Sequence, residues 1–329
     1  MVPIILFLLA VLPPPDQPHE VPLKLKLRLV EVINQDRRQA GLPPVEYSPE
    51  LSRAADEHCR EMLREGYASH WNRSGWKPYL RYAQAGIRDA LEENISSLWD
   101  ISFPSGEEGM WGKLLSSHRG FMAEQPPFDG HRRSILGPNH TDVGIGAAYD
   151  SRGLRLIEAF SARVAELEPL PLHANLKTNL VVRGRLLRRD LELVAISVFY
   201  EPLPQPMSVE QLRATTSYGW PAEEHIERPR LAGNTSYVDG TRGNIQLDSA
   251  GTFILPLRFW KALPGVYSVA VWVRAGGGKA FVGASGAILV EDAAGGRFTP
   301  PRGPGAGGPR PGASSGPLRG VSEALRRGG

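Results

Sequence analysis

The 329 residues, 41% hydrophobic and 22% charged, are enough for two packed domains and exclude a fibrous or wholly disordered chain. The formal net charge of +3 is local in origin: from Ala293 onward there are six arginines and one acid, which leaves the rest close to neutral or slightly acidic, and no nucleic-acid partner is expected. A single cysteine, Cys59, excludes an intrachain disulfide framework and a cysteine zinc cluster.

The chain opens on MVPIILFLLAVL, an apolar run of the length of an export signal and too short to span a bilayer. Residues 1–20 are therefore expected to be a signal peptide and the protein to be secreted or in the cell envelope. No Lys or Arg precedes the run, however, and Pro13 to Pro15 stand where small residues would mark cleavage. From Leu23 the sequence alternates like a strand, but Val30, Ile33 and Ala40 fall at helical spacing, and a helix is expected from about Leu23 to Ala40, stopped by Gly41. A second helix is framed by Ser48 as N-cap, Pro49 at the first helical position and Gly66 as stop. His58 and Cys59 lie on its apolar stripe with Leu51, Ala55 and Met62, so both read as core rather than as ligand or nucleophile.

His70 follows that stop on a loop, the kind of segment on which site residues tend to sit. Pro78 to Ala85 reads as a short helix, and LEENISS, Leu91 to Ser97, brings Glu93 and Asn94 just ahead of a small apolar step. Ser105 with Glu108 predicts a capping box for a third helix, whose inward face carries Trp111, Leu114, Leu115, His118 and Phe121. His131 lies in a turn after Pro126 and Pro127. Asp142 to Tyr149 and Leu154 to Ala162 then read as a hairpin joined at Asp150 to Gly153.

Pro169 and Pro171 mark a composition shift, which divides the chain into residues 23–166 and 172–292. Beyond it the pattern alternates, with candidate strands at Thr178 to Leu187, Leu191 to Glu201, Asn244 to Asp248, Gly251 to Arg258, Gly265 to Arg274 and Phe281 to Glu291. This predicts an antiparallel β-sandwich of immunoglobulin-like type, interrupted by a short helix near Ser208 with Gln211 closing a capping box. Trp220, Trp260 and Trp272 read as core. Residues 293–329, rich in Gly, Pro, Arg and Ser, are expected to be disordered. No dinucleotide fingerprint, P-loop, HExxH helix or GxSxG elbow is present.

The ordered set VINQDRRQAGLPPVEYSPELSRAADEHCREMLREGYASH, EENIS, GHRRSIL and DVGIGAA resembles a bacterial, disulfide-free member of the CAP superfamily, the cysteine-rich secretory, antigen 5 and pathogenesis-related proteins with the SCP domain. The resemblance covers roughly Leu27 to Val164. It implies an α-β-α sandwich with a central cleft lined by two histidines and two acids, so the fold class expected for the chain is α+β. Its motifs place His70, Glu93 and His131 in that cleft. The fourth position departs, since the residue three after Trp111 is Leu114; Glu124 and the inward-facing His118 are the substitutes.

Two imidazoles with one or two carboxylates suit a borderline divalent cation such as zinc, with His70 and His131 as ligands. The same groups also suit a hydrogen-bonded network that merely ties three segments together. The expected function is an exported, non-catalytic binding protein whose cleft takes a small ligand, a lipid, a peptide or a metal, with the β-domain contacting the envelope or a protein partner. One alternative is a metal-dependent hydrolase of peptide or cell-envelope substrates in which Glu93 is the best candidate base. The other is a structural envelope protein.

Overall fold

The computed structural model describes residues 17–99 and 106–292. Most of the expected signal segment, Ser105 and the expected disordered tail lie outside those residues. The first half of the chain runs β1 (His19–Glu20), α1 (Leu23–Gln39), β2 (Glu46–Tyr47), α2 (Pro49–Glu65), α3 (Pro78–Gln84), β3 (Ala90–Trp99), α4 (Glu107–Met122), α5 (Gly130–Ile135), β4 (Asp142–Asp150) and β5 (Gly153–Ala162). The expected hairpin is β4 and β5, paired from Asp142↔Ser161 to Asp150↔Gly153. β3 adds antiparallel to the outer side of β5, while β1 and the parallel β2 pair with β4.

Side-chain alternation along these strands sorts the helices into two layers. On one face Val143, Ile145, Leu156 and Phe160 pack against Leu29 and Ile33 of α1 and Leu114 of α4. On the other, Ala148, Ile157 and Ala159 pack against Leu51, Ala55 and Cys59 of α2. The alternation LKLKLRLV is thus overridden, because Leu25, Leu29 and Ile33 form one buried stripe only as a helix. α2 keeps its predicted frame: the Ser48 hydroxyl accepts from the Leu51 N–H at 3.3 Å, and Gly66 closes the helix at φ 73. Gly144 and Gly146, which make no nucleotide motif, serve the packing instead. A Cβ on either would come within 2.3 Å of Leu51 or 2.4 Å of Ala55, so these glycines let α2 lie directly on the sheet.

The capping box predicted at Ser105 rests on a residue outside the described ones. α4 starts at Glu107 with Gly106 in the N-cap position, and the carboxylates of Glu107 and Glu108 in the first turn interact favourably with the helix dipole. β3, which the residue pattern did not announce, owes its ten residues to pairing with β5 from Ala90↔Ala162 to Trp99↔Gly153.

The second half runs β6 (Ala165–Leu167), β7 (His173–Asn175), β8 (Leu180–Leu186), β9 (Leu191–Glu201), α6 (Val209–Ala214), β10 (Glu223–Glu227), β11 (Gln246–Leu247), β12 (Thr252–Leu257), β13 (Gly265–Ala275) and β14 (Phe281–Glu291). They form two sheets, β10-β9-β13-β14-β7 and β11-β12-β8-β6, which share a core including Val182, Phe253, Ile196, Val271 and Ile288. The Ser208–Gln211 capping box of α6 is present. Trp272 is buried as expected, whereas Trp220 and Trp260 stay partly exposed.

The two halves are tied together at several points. Leu212 of α6 joins the core beneath α2, the Ser285 N–H donates to the Arg88 carbonyl at 2.8 Å, and Arg88 Nε donates to the Leu167 carbonyl at 3.0 Å. The segment leaving α6, Thr215 to Trp220, is laid against the His70 loop: the Ser69 hydroxyl donates to the Thr215 carbonyl at 2.7 Å and the Trp71 indole to the Ser217 carbonyl at 3.1 Å.

Candidate functional site

β3 organises the site because successive residues of a strand point to opposite sides. Glu93 points towards the α2 side, where its carboxylate accepts from His70 Nδ1 at 2.8 Å, from Arg81 Nη2 at 2.9 Å to each oxygen, and from the Tyr82 hydroxyl at 3.0 Å. Asn94 points the other way and donates to the His131 carbonyl at 3.0 Å. The Glu-Asn step therefore fixes both histidines, one on each side of a single strand.

The Glu93 side chain is completely buried. Burial alone would raise its carboxyl, but the Arg81 guanidinium and the His70 hydrogen bond hold it down at about 2. Being ionised, it can only accept from Nδ1 of His70, so that nitrogen carries a proton and Nε2 is the ring atom turned away from the carboxylate. His131 is built in the same way: its backbone N–H donates to Glu124 Oε2 at 2.9 Å and its Nδ1 meets Glu124 Oε1 at 2.5 Å. Its ring rests on Phe121 with centroids 4.6 Å apart, and about a third of the side chain is exposed. Each imidazole is thus oriented by its own carboxylate, the arrangement that fixes the tautomer of metal-binding and acid-base histidines.

Two cavities, of about 580 and 800 Å³, share His70, His131 and Thr216 in their walls. The smaller extends along Ile95, Ser97 and Trp99 towards Arg213, and the larger past Glu92, Tyr218 and Trp220. Of the expected cleft residues, His70, Glu93, His131 and Glu124 come together. His118 does not. Its Nδ1 pairs with Glu158 and its Nε2 with Asp36, both at 2.8 Å, in the layer between α1, α4 and the sheet. Burial opposes its charge, but these two carboxylates raise it to about 9. Glu93 as a base is also corrected, since both oxygens are committed to Arg81, Tyr82 and His70; any basic lone pair in the cleft belongs to the imidazoles.

His58 and Cys59 are core, as expected. His58 Nε2 lies 2.8 Å from the Ser69 carbonyl, and burial pushes the ring down to about 3 and the Cys59 thiol up. Sequence reasoning missed Arg81 and Tyr82, which hold the Glu93 carboxylate, and Tyr218. Its hydroxyl accepts the Glu93 N–H at 2.9 Å and its ring lies against His70 with centroids 4.7 Å apart. The signal, had it been weighed, was the Tyr218-Gly219-Trp220 cluster outside any strand pattern.

Among the described residues no group of three or more His, Cys, Asp or Glu side chains is arranged to hold a metal ion. With Nδ1 of each ring against a carboxylate, Nε2 is the nitrogen that each imidazole can offer to a ligand.

Residues 30–161 match the model of the cysteine-rich secretory protein family, CAP. The chain is similar to an uncharacterized protein, YkwD, of Bacillus subtilis (strain 168), at 27% identity over 120 residues, which cover 36% of this chain and 40% of that relative. Among solved structures it is similar to an extracellular protein containing a SCP domain from Bacillus anthracis str. Ames, with 20% identity and a TM-score of 0.33 over 41% of this chain and 39% of that one. It is similar also to an outer surface protein of Borrelia burgdorferi, with 14% identity and a TM-score of 0.35 over 44% and 97% of the two chains. The segment similar to the CAP family, residues 30–161, is the one that carries the four motifs and builds this sheet with its helices.

Proposed function

We propose that the chain is an exported CAP-domain binding module whose cleft holds a ligand or a divalent cation between His70 and His131 without turning it over. The observation that carries this reading is the pair of imidazoles in one cavity wall, each with Nδ1 spent on its own carboxylate. A cation such as zinc would be held by the two Nε2 atoms and would supply Lewis acidity there. Glu93 and Glu124 orient the rings, and Arg81 keeps Glu93 charged.

In this reading residues 23–166 form the binding domain, and residues 172–292 an immunoglobulin-like sandwich that meets an envelope or protein partner. Export is supported by the apolar run at residues 1–12, and no helix among the described residues is long and apolar enough to cross a membrane. The test is elemental analysis and zinc titration of the wild type, His70→Ala and His131→Ala, with peptide and cell-wall substrates offered in parallel. Stoichiometric zinc that both substitutions remove, with no turnover, is the expected result. Turnover that depends on His131 would replace this reading by a hydrolase in which an imidazole is the base. Neither metal nor turnover, and no ligand retained through purification, would leave the network a purely structural tie.

A further inference from the structure

β3 ends the sheet order β1-β4-β5-β3, so among the described residues one of its edges has no strand beside it. In an antiparallel strand, alternate residues turn both N–H and C=O to the same edge. Two observations identify which ones face outward. The Glu93 N–H leaves the sheet to donate to the Tyr218 hydroxyl, while the Leu98 carbonyl lies on the β5 side, where Arg155 Nη1 reaches it at 3.3 Å. The odd-numbered residues therefore present their backbone outward, and among the described residues no hydrogen bond reaches that edge at Ile95 or Ser97.

Such an edge is a template for pairing, which proteins ordinarily blunt with lysine, proline, a bulge or a covering segment. Here Ile95–Trp99 carries no charge and no proline, the β3–β5 register runs without a bulge, and the edge opens into the smaller cavity. Ile95, Ser97 and Trp99, the same alternate residues, line it. The covering segment stops short: Tyr218 takes the hydrogen bond at Glu93, and from Ile95 onward no described residue pairs with the edge.

We propose that the free edge of β3 from Ile95 to Trp99 is a strand-addition site for an extended peptide segment of a partner protein, with Tyr218 as the stop that ends the added strand beside His70 and His131. Five strand residues span about 13 Å at roughly 3.3 Å per step, so the site pairs three to five peptide residues. Main-chain hydrogen bonds would supply affinity and alternate side chains selectivity. A peptide suits this edge better than a second copy of the chain, because a cavity of about 580 Å³ walled by Ala68–His70, Arg213 and Thr216 has the size of a short peptide segment and not of another sheet. The proposal rests on the reading of the cleft as a binding site and names its ligand class.

The experiment offers the full chain a synthetic pool of capped hexapeptides with varied side chains, and the same pool N-methylated at every second amide in both registers, with bound members identified by mass spectrometry. Ser97→Pro removes an outward N–H without a ladder bond, as an edge strand tolerates. The expected result is enrichment of a peptide subset, lost on N-methylation and weakened about tenfold by Ser97→Pro, as for one lost hydrogen bond, with zinc uptake unchanged in that variant. No enrichment by the wild type, or enrichment that survives N-methylation, overturns the proposal. A concentration-dependent dimer abolished by Ser97→Pro overturns it in favour of a second copy. If peptide binding is absent while zinc still depends on His70 and His131, strand addition fails and the binding-module reading stands; N-methylation alone decides the matter if Ser97→Pro does not fold.

Discussion

Replacing Glu93 by Gln removes one charge and almost no volume from the centre of the site, and its consequences can be worked from the contacts. The carboxylate accepts two bonds from Arg81 at 2.9 Å, one from Tyr82 at 3.0 Å and one from His70 at 2.8 Å, in a side chain with no exposed surface. Removing one partner of a buried ion pair costs about 3–5 kcal/mol, because the other charge is left uncompensated. Linkage gives a similar figure. The carboxyl is held at about 2 against an ordinary 4.5, a difference worth about 3 kcal/mol that is present above pH 4.5 and lost as pH falls through 2. For a chain of this size a loss of about 3 kcal/mol lowers Tm by roughly 6–12 °C.

The substitution has a second effect, on the ring. If the amide oxygen keeps Arg81, the amide nitrogen faces His70 Nδ1, which must then accept, and the ring proton moves to Nε2. Urea melts of the wild type, Glu93→Gln, Arg81→Met and the double variant measure the first effect. Imidazole ¹⁵N shifts of His70, with zinc titration, measure the second. The double variant should recover part of the single-variant loss, since no charge is then left buried alone. A Glu93→Gln melt within 1 kcal/mol of the wild type, or a double variant no better than the sum of the singles, would refute the account of Glu93 as a charge held by Arg81.

The pair at His118 has the opposite pH sense. With the ring raised to about 9 between Glu158 and Asp36, its contribution of about 3 kcal/mol is complete below pH 6.5 and disappears as pH rises through 9. The urea midpoint should therefore fall between pH 6.5 and 9.5 in the wild type and not in His118→Gln; equal slopes would exclude the mechanism. Gly146→Ala should cost about 1–3 kcal/mol, as its Cβ would lie 2.4 Å from Ala55, and circular-dichroism melts at neutral pH are sufficient to check it. Tyr218→Phe withdraws the acceptor from the Glu93 N–H but keeps the ring on His70. It should destabilise by about 1 kcal/mol and speed amide exchange at Glu93, and an unchanged exchange rate would contradict the assigned bond.

How much of this was legible in the sequence follows the range of the forces involved. Ser48, Pro49 and Gly66 frame α2, Ser208 and Gln211 open α6, and the Asp150–Gly153 turn sets the β4–β5 hairpin, all through contacts within four residues. The family resemblance rests on the same local stretches and pointed to His70, Glu93 and His131. It could not say how they meet. LEENISSLW becomes a strand because β5, some sixty residues on, pairs with it, and that strand's alternation puts Glu93 on His70 and Asn94 on His131. His118 and Glu124 were equal candidates on one helix and its end. Sheet order decided between them, turning His118 to Glu158 and leaving Glu124 free to seat His131. Tyr218 lies 125 residues from the amide it caps. Local hydrogen-bonding preference and hydrophobic period are written into neighbouring residues, so the sequence determined the capped helices and the hairpin but read α5, which carries His131, as a turn. Which buried charge faces which, and what closes the cleft, are properties of segments brought together only by packing, and those the tertiary structure alone decided.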